Sequence, residues 1–521
     1  MYKLLVAFVE QSYMNNNKRL AISIVSNVLS VAVSLGVSFL LTPYLLRTLG
    51  KEAYSFYPLA NNFASYMTII TLALNSMASR FITIEIVKGN EPKAHTYFSS
   101  VFFSNVILSG IFLIPMVLIT VFVDTVLNVP TDLVGDVKAL FALVFLSMVI
   151  NLISSVFGIA TFAKERMDLR AYREFGQNVI RATLFVLLFS LFSPTIVFLG
   201  IVAVAVALGN GCVQYAFTRK LMPEYHVHVS EFDLHAVMEL VKSGIWNSVN
   251  NLGSILTMSL GVLLANKFIG TSESGDMSIV QTLPQFMTSV ISAIYGVLLA
   301  RITVVYAKGN KEATQQTVIN TQKILGIICT VPAAMTIIYG EYFFRLWVPN
   351  EDAHYLQLLS IISVIPVLLH SSMWTVYGLN VTNNKIKTPA LVLIGTGLIS
   401  VLITLILLKT TNLGVFAVTG VSSFCNTVFY LVFIPMYAAK KMDFPIGVFY
   451  PHIIKSLVYT AIMALIFYPI TRACSGFLNS WIGFFIMAGI SEIIGVVIYF
   501  FTVCSKNDRT MILANVKLKR G

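Results

Sequence analysis

Ser79–Asn90 reads SRFITIEIVKGN, and Ala300–Asn310 reads ARITVVYAKGN. Both place an arginine, an apolar run and then Lys-Gly-Asn, about 220 residues apart. Solenoid units are roughly 20–50 residues long, so this period is that of a half-chain. Two further pairs keep nearly the same offset. Leu45–Gly50 (LLRTLG) matches Leu264–Gly270 (LANKFIG), setting Arg47 over Lys267 and Gly50 over Gly270. Leu127–Pro130 (LNVP) matches Leu346–Pro349 (LWVP). Apolar helices resemble one another by chance, but chance does not hold loop motifs in register. The chain reads as two homologous halves.

The medium in which those halves fold follows from composition. Of 521 residues, 57% are hydrophobic and 11% are charged, where a soluble domain carries roughly 25% charged. Windows of roughly 20 apolar residues, each long enough to cross a bilayer, recur about fourteen times, from 20–46 to 481–504. The first, Leu20–Leu46, is too long and too late for a secretory signal. Tyr2–Val9 reads equally as a surface-lying or a disordered start. The five cysteines are scattered, with no spacing for a metal or a disulfide framework.

Charge sets the expected topology. With the N-terminus inside, 25 of the 35 Lys and Arg fall in inner segments and 7 in outer ones. That bias is the positive-inside signature. It explains the net charge of +12 as orientation, not as affinity for nucleic acid, and it puts both termini in the cytoplasm of a multi-pass cell-membrane protein. The repeated KGN follows the second and the eighth span. Each half therefore holds six spans, an even number, and such halves are parallel repeats about an axis along the membrane normal. The expected fold class is an all-α integral membrane protein of about 14 transmembrane helices, two parallel six-helix lobes plus a C-terminal helix pair. The expected divisions are 1–19 (inner or interfacial start), 20–230 (N-lobe), 231–441 (C-lobe), 442–505 (helix pair) and 506–521 (basic tail).

Ionisable groups at membrane depth are costly, so they are candidate functional residues. Arg47 and Lys267 form a pseudo-symmetric pair at the outer ends of the first and seventh spans. Arg80 and Arg301 form another at the inner ends of the second and eighth, and Arg181 lies inside the fifth. Arg presents a planar fork to phosphate oxygens and Lys a point charge. A cavity between two lobes lined by such cations suits a phosphate or pyrophosphate; the competing reading is a set of snorkelling anchors. His370 near Pro366 and Glu492 in the last span are the candidates for proton or ion coupling. The competing readings are a satisfied interior histidine for His370 and a structural ion pair with Lys455 for Glu492. Ala163–Asn178 (AKERMDLRAYREFGQN) reads as a solvated loop or an interfacial helix. No nucleotide-binding loop, metal cluster or nucleophile triad occurs, so neither an enzyme nor a cofactor is expected.

Asn27–Ala60 (NVLSVAVSLGVSFLLTPYLLRTLGKEAYSFYPLA) resembles the first helix and loop of the prokaryotic polysaccharide transporters. These are the O-antigen, capsular and exopolysaccharide repeat-unit flippases of the MATE-like superfamily. Thr42-Pro43-Tyr44, Arg47, Leu49-Gly50 and Tyr54 after an acidic residue carry the resemblance; Ser55 stands where the family often has glycine. The resemblance implies translocation of an undecaprenyl-pyrophosphate-linked oligosaccharide between leaflets, the pyrophosphate held by cavity cations, with polysaccharide polymerase or export proteins as partners beside the phospholipid bilayer. Two other activities occur in the superfamily, cation-coupled drug export and lipid II flipping. The first needs an intramembrane carboxylate in a lobe, and the first six spans hold none in their central portions. A non-transport membrane scaffold is the remaining alternative.

Overall fold

In the computed structural model, residues 33–502 are described apart from Glu165, Lys308 and Asn384, together with Arg509. The expected N-terminal segment 1–19, the start of the first span and the basic tail 506–521 lie outside the described residues, Arg509 excepted. No strand occurs among those described.

The helices in chain order are α1 (Val33–Leu49), α2 (Lys51–Val87), α3 (Glu91–Val121), α4 (Val134–Ala163), α5 (Met167–Leu191), α6 (Val197–Leu221) and α7 (Leu234–Phe268). They continue with α8 (Thr271–Ala307), α9 (Lys311–Trp347) and α10 in two pieces, Ala353–Ser371 and Met373–Thr382. The last are α11 (Lys387–Thr410), α12 (Val415–Met442), α13 (Pro451–Ala473) and α14 (Trp481–Thr502). Among the described residues nine helices are long and apolar enough to cross a membrane, or ten with the broken α10 counted as one. The expected count of about fourteen spans is thus met by nine or ten helices of that length and apolarity among the described residues. Helix α5 begins with charged turns, and α8 and α9 carry polar residues along their length. The all-helical, multi-span fold class holds.

The repeated Lys-Gly-Asn is a helix stop joined to a helix start. Gly89 takes φ +74° and Gly309 φ +73°, left-handed values that a side chain disfavours and that commonly end helices. The Asn90 side chain then accepts from Lys93 N–H at 3.4 Å, capping α3, and Asn310 accepts from Ala313 N–H at 2.8 Å, capping α9. Such a cap satisfies one of the amides that a helix start leaves unpaired.

The chain divides into two compact units. One holds the described residues up to Leu252, with Gly270–Ser272; the other holds Gly253–Ile269 and the chain from Glu273 onward. In the N-terminal unit, Leu74, Ala78 and Ile82 of α2 pack with Tyr97, Phe98 and Val101 of α3, Ile159 of α4 and Leu240 of α7. Helix α7 crosses α2 so closely that a Cβ on Gly244 would stand 1.9 Å from the Ala73 carbonyl oxygen. In the C-terminal unit, Val331, Ala334 and Ile338 of α9 pack against Tyr459 and Met463 of α13 and Tyr499 of α14. Long apolar side chains also cover the outside, among them Ile107, Ile111, Ile114 and Leu118 on α3 and Ile482, Phe485, Ile490 and Ile493 on α14. A soluble monomer does not expose apolar patches of that extent; here hydrocarbon is the solvent.

Candidate functional site

The expected cations take distinct positions. Arg47 is exposed near the end of α1, and Lys267 is exposed in the last turn of α7. Arg80 is exposed about two turns before the end of α2, because that helix runs past the apolar window to Val87. Arg181 is half-buried on α5, its Nη2 donating to Asn178 Oδ1 at 2.7 Å, and its buried Nε has no hydrogen-bond partner. Arg47, Arg80 and Arg181 belong to the N-terminal unit, and Lys267 to the C-terminal one. The side chains of Arg301 and His370 lie outside the described residues.

Two acidic positions stand out. Glu492 is exposed on α14, flanked by exposed Ile490, Ile493 and Ile494, and makes no ion pair with Lys455, which is also exposed. Hydropathy records that α14 is apolar all round, but not which face turns inward. Asp276 on α8 is buried instead. Its apolar window begins after it, whereas the helix starts earlier, at Thr271.

The richest polar constellation lies inside the N-terminal unit. Asn75 of α2, Asn105 of α3 and Ser155 of α4 form a hydrogen-bonded cluster, with Asn105 Nδ2 donating to Ser155 Oγ at 3.1 Å. Asn210 of α6 donates to Asn151 Oδ1 of α4 at 3.0 Å and accepts from Gln214 Nε2 at 2.8 Å. Beside them opens a cavity of about 350 Å³ lined by Ser79, Asn151, Ser155, Asn210 and Gln214 and by two arginines, Arg170 and Arg173 of α5. Arg170 Nε donates to Glu174 Oε1 at 2.9 Å; Arg173 Nη2 stands 3.7 Å from the same oxygen. Arg173 is half-buried, and its Nε is buried without a hydrogen-bond partner. Among the described residues, no acidic side chain lines the cavity. Donors in this number, with fixed positive charge, can hold an oxyanion and hydroxyl-bearing groups.

The family model described as polysaccharide biosynthesis protein matches residues 20–303, more than half of the chain. The chain belongs to this polysaccharide biosynthesis family. The resemblance carried by Thr42-Pro43-Tyr44, Arg47 and Leu49-Gly50 is thereby borne out. A curated relative, the uncharacterized membrane protein EpsK of Bacillus subtilis (strain 168), is 25% identical over 510 residues, covering 96% of this chain and 99% of EpsK. Among solved structures, lipid II flippase MurJ in an inward closed conformation matches with TM-score 0.65 at 14% identity, covering 92% of this chain and 99% of MurJ. An inward-facing multidrug resistance MATE family transporter matches with TM-score 0.60 at 16% identity, covering 82% of this chain and 97% of that one. The chain thus has the fold of these membrane flippases and transporters.

Sequence reading assigns Ala163–Asn178 of this family member to a loop or an interfacial helix. The structure makes Met167 the start of α5 and turns Arg170 and Arg173 into the cavity. The signal was present in the spacing. Arg170, Arg173, Gln177 and Arg181 recur at three or four residues, the period of one helix face.

Proposed function

We propose that this protein is a flippase that moves an undecaprenyl-pyrophosphate-linked oligosaccharide from the inner to the outer leaflet of the cell membrane by alternating access. Its lobes are 20–230 and 231–441, with the helix pair 442–505 outside them and both termini in the cytoplasm. The observation that carries the reading is family membership combined with an arginine-bearing polar interior of the N-terminal unit, whose cavity is lined by Arg170 and Arg173 together with Asn, Gln and Ser side chains. Sugar hydroxyls and phosphate oxygens both find partners among Arg, Asn, Gln and Ser. Arg47, Lys267, Arg80, Arg181 and Arg301 are the proposed pyrophosphate contacts, and polysaccharide polymerase or export proteins the proposed partners.

The test is reconstitution of the purified chain in liposomes with a fluorescent prenyl-pyrophosphate oligosaccharide in both leaflets. Protein-dependent loss of protection from an outside quencher is the expected result. Flipping no faster than in protein-free liposomes overturns the reading. One observation favours a second reading, cation-coupled transport: Asp276 is a carboxylate buried in the C-terminal unit, as ion exchange requires. Dye efflux driven by a proton or sodium gradient, without oligosaccharide flipping, would establish that reading instead.

A further inference from the structure

A second cavity, of about 280 Å³, lies between α5 and α6. Its walls are mainly apolar, with Tyr172, Ile180 and Val213 exposed at the surface of the unit. Arg173 and Asn210 line both this groove and the polar cavity. An apolar groove and a cationic, amide-rich pocket therefore share one arginine at their border.

The glycines of the groove support an occupant. Gly176 on α5 and Gly209 on α6 both line it, and a Cβ built on either would meet nothing within 4 Å. Glycine inside a helix is destabilising relative to alanine, and a close helix crossing is the usual reason to tolerate it. Gly244 has that reason, against Ala73; Gly176 and Gly209 do not. Their effect is to keep the groove open.

Charge selects the ligand. Arg170 and Arg173 stand together beside Glu174, and the buried Arg173 Nε has no hydrogen-bond partner, so an anion finds a donor there. The polar cavity beyond offers Asn151, Ser155, Asn210 and Gln214 to hydroxyl groups. Basic pockets between membrane helices are known to hold anionic lipid headgroups.

We infer that α5 and α6 bind an anionic phospholipid of the surrounding bilayer, with its phosphate on Arg173 and Arg170, its headgroup in the polar cavity and an acyl chain in the glycine-lined groove. The polar cavity is the one that also supports the flippase reading, so lipid and transported substrate compete for it; the glycine-lined groove belongs to the lipid alone, and the lipid site stands whether or not the flippase reading does.

The full-length protein is purified, exposed to mixed phosphatidylglycerol and phosphatidylcholine micelles, and examined by native mass spectrometry for retained lipid. Wild type should keep one phosphatidylglycerol in preference to phosphatidylcholine by about tenfold or more, the scale of one charge-assisted contact. Arg173→Gln should reduce that preference to near parity. Gly209→Leu should lower retention of both lipids by filling the groove, and the open space there lets it fold. Arg472→Ala, which removes an exposed arginine from the other unit, should change neither. Equal retention of the two lipids by wild type, a preference that survives Arg173→Gln, or undiminished retention by Gly209→Leu overturns the site. Displacement of phosphatidylglycerol by equimolar farnesyl pyrophosphate overturns its assignment to a bilayer lipid.

Discussion

Asn75 and Asn105 hydrogen-bond to each other in both directions, Nδ2 to Oδ1, at 3.1 and 3.0 Å. Asn105 is fully buried and also reaches Ser155. Asn75 is half-buried, and its Nδ2 also donates to the Thr71 carbonyl at 3.0 Å, so the pair ties the buried Asn105 to α2. Asn105→Ala should lower stability by about 1–3 kcal/mol, the cost of stranding a buried partner. The double variant with Asn75→Ala should cost less than the sum of the two single changes, with a coupling of about 0.6–1.7 kcal/mol. Thermal unfolding of all four forms in one detergent measures it, and strict additivity would sink the claim.

The two Lys-Gly-Asn corners should respond alike, since they do the same job in each half. Gly89→Ala forces a side chain into left-handed backbone, at about 1–2 kcal/mol. Asn90→Ala removes the cap of α3 and Asn310→Ala that of α9, each at about 1 kcal/mol. The melting temperature should fall for all three. No change on removing Asn310 would show that its short bond to Ala313 is dispensable.

That corner also marks how far the sequence could be read. Lys-Gly-Asn is a local device: its glycine and asparagine act on the adjacent backbone, so adjacency alone reveals them. The Asn75–Asn105–Ser155 cluster is the opposite case. Each member is one polar residue in an apolar run, and only packing brings the three together. The cavity was legible in part, because Arg170, Arg173 and Arg181 share a helical period, while the helix start at Met167 needed structure. The exposure of Glu492 and the burial of Asp276, which the sequence did not single out, were illegible for a common reason. Hydropathy reports how apolar a stretch is, but neither which face is covered nor how far a helix outruns its apolar window. The cation pair Arg47 and Lys267 remains an expectation from register alone.

The connector between α6 and α7 is held on α3 by side-chain bonds. Tyr225 donates to Glu91, and Ser99 donates to Glu231 at 2.7 Å. Burial first, then the bond to the Glu91 carboxylate, pushes the Tyr225 phenol above its ordinary value of about 10. A raised folded pKa means that the contribution is fully present below about 10 and is lost as pH rises through the higher folded value. The stability gap between wild type and Tyr225→Phe should therefore stay constant from pH 6 to about 9 and shrink only in stronger alkali. A gap that closes between pH 6 and 8 would contradict the hydrogen-bonded phenol.

Transport should depend on charge at the repeated pair. Arg47→Ala with Lys267→Ala should slow oligosaccharide flipping in liposomes by about tenfold or more if both touch phosphate, since charge-assisted bonds contribute about 1.5–3 kcal/mol each. Arg47→Lys with Lys267→Arg should retain most of the rate. Equal, unimpaired rates for both double variants would assign the pair to interfacial anchoring.

Asp276 separates the two transport readings without reference to substrate. A buried carboxylate that exchanges an ion must ionise during each cycle, and its amide cannot. If transport is ion-coupled, Asp276→Asn should abolish the dependence of flipping on an imposed proton or sodium gradient while leaving slow downhill flipping. If the carboxylate only braces the C-terminal unit, the variant should melt at a lower temperature yet keep whatever gradient dependence wild type shows. Measuring both quantities on one preparation decides between them, because a structural role moves the melting temperature and leaves the coupling ratio alone.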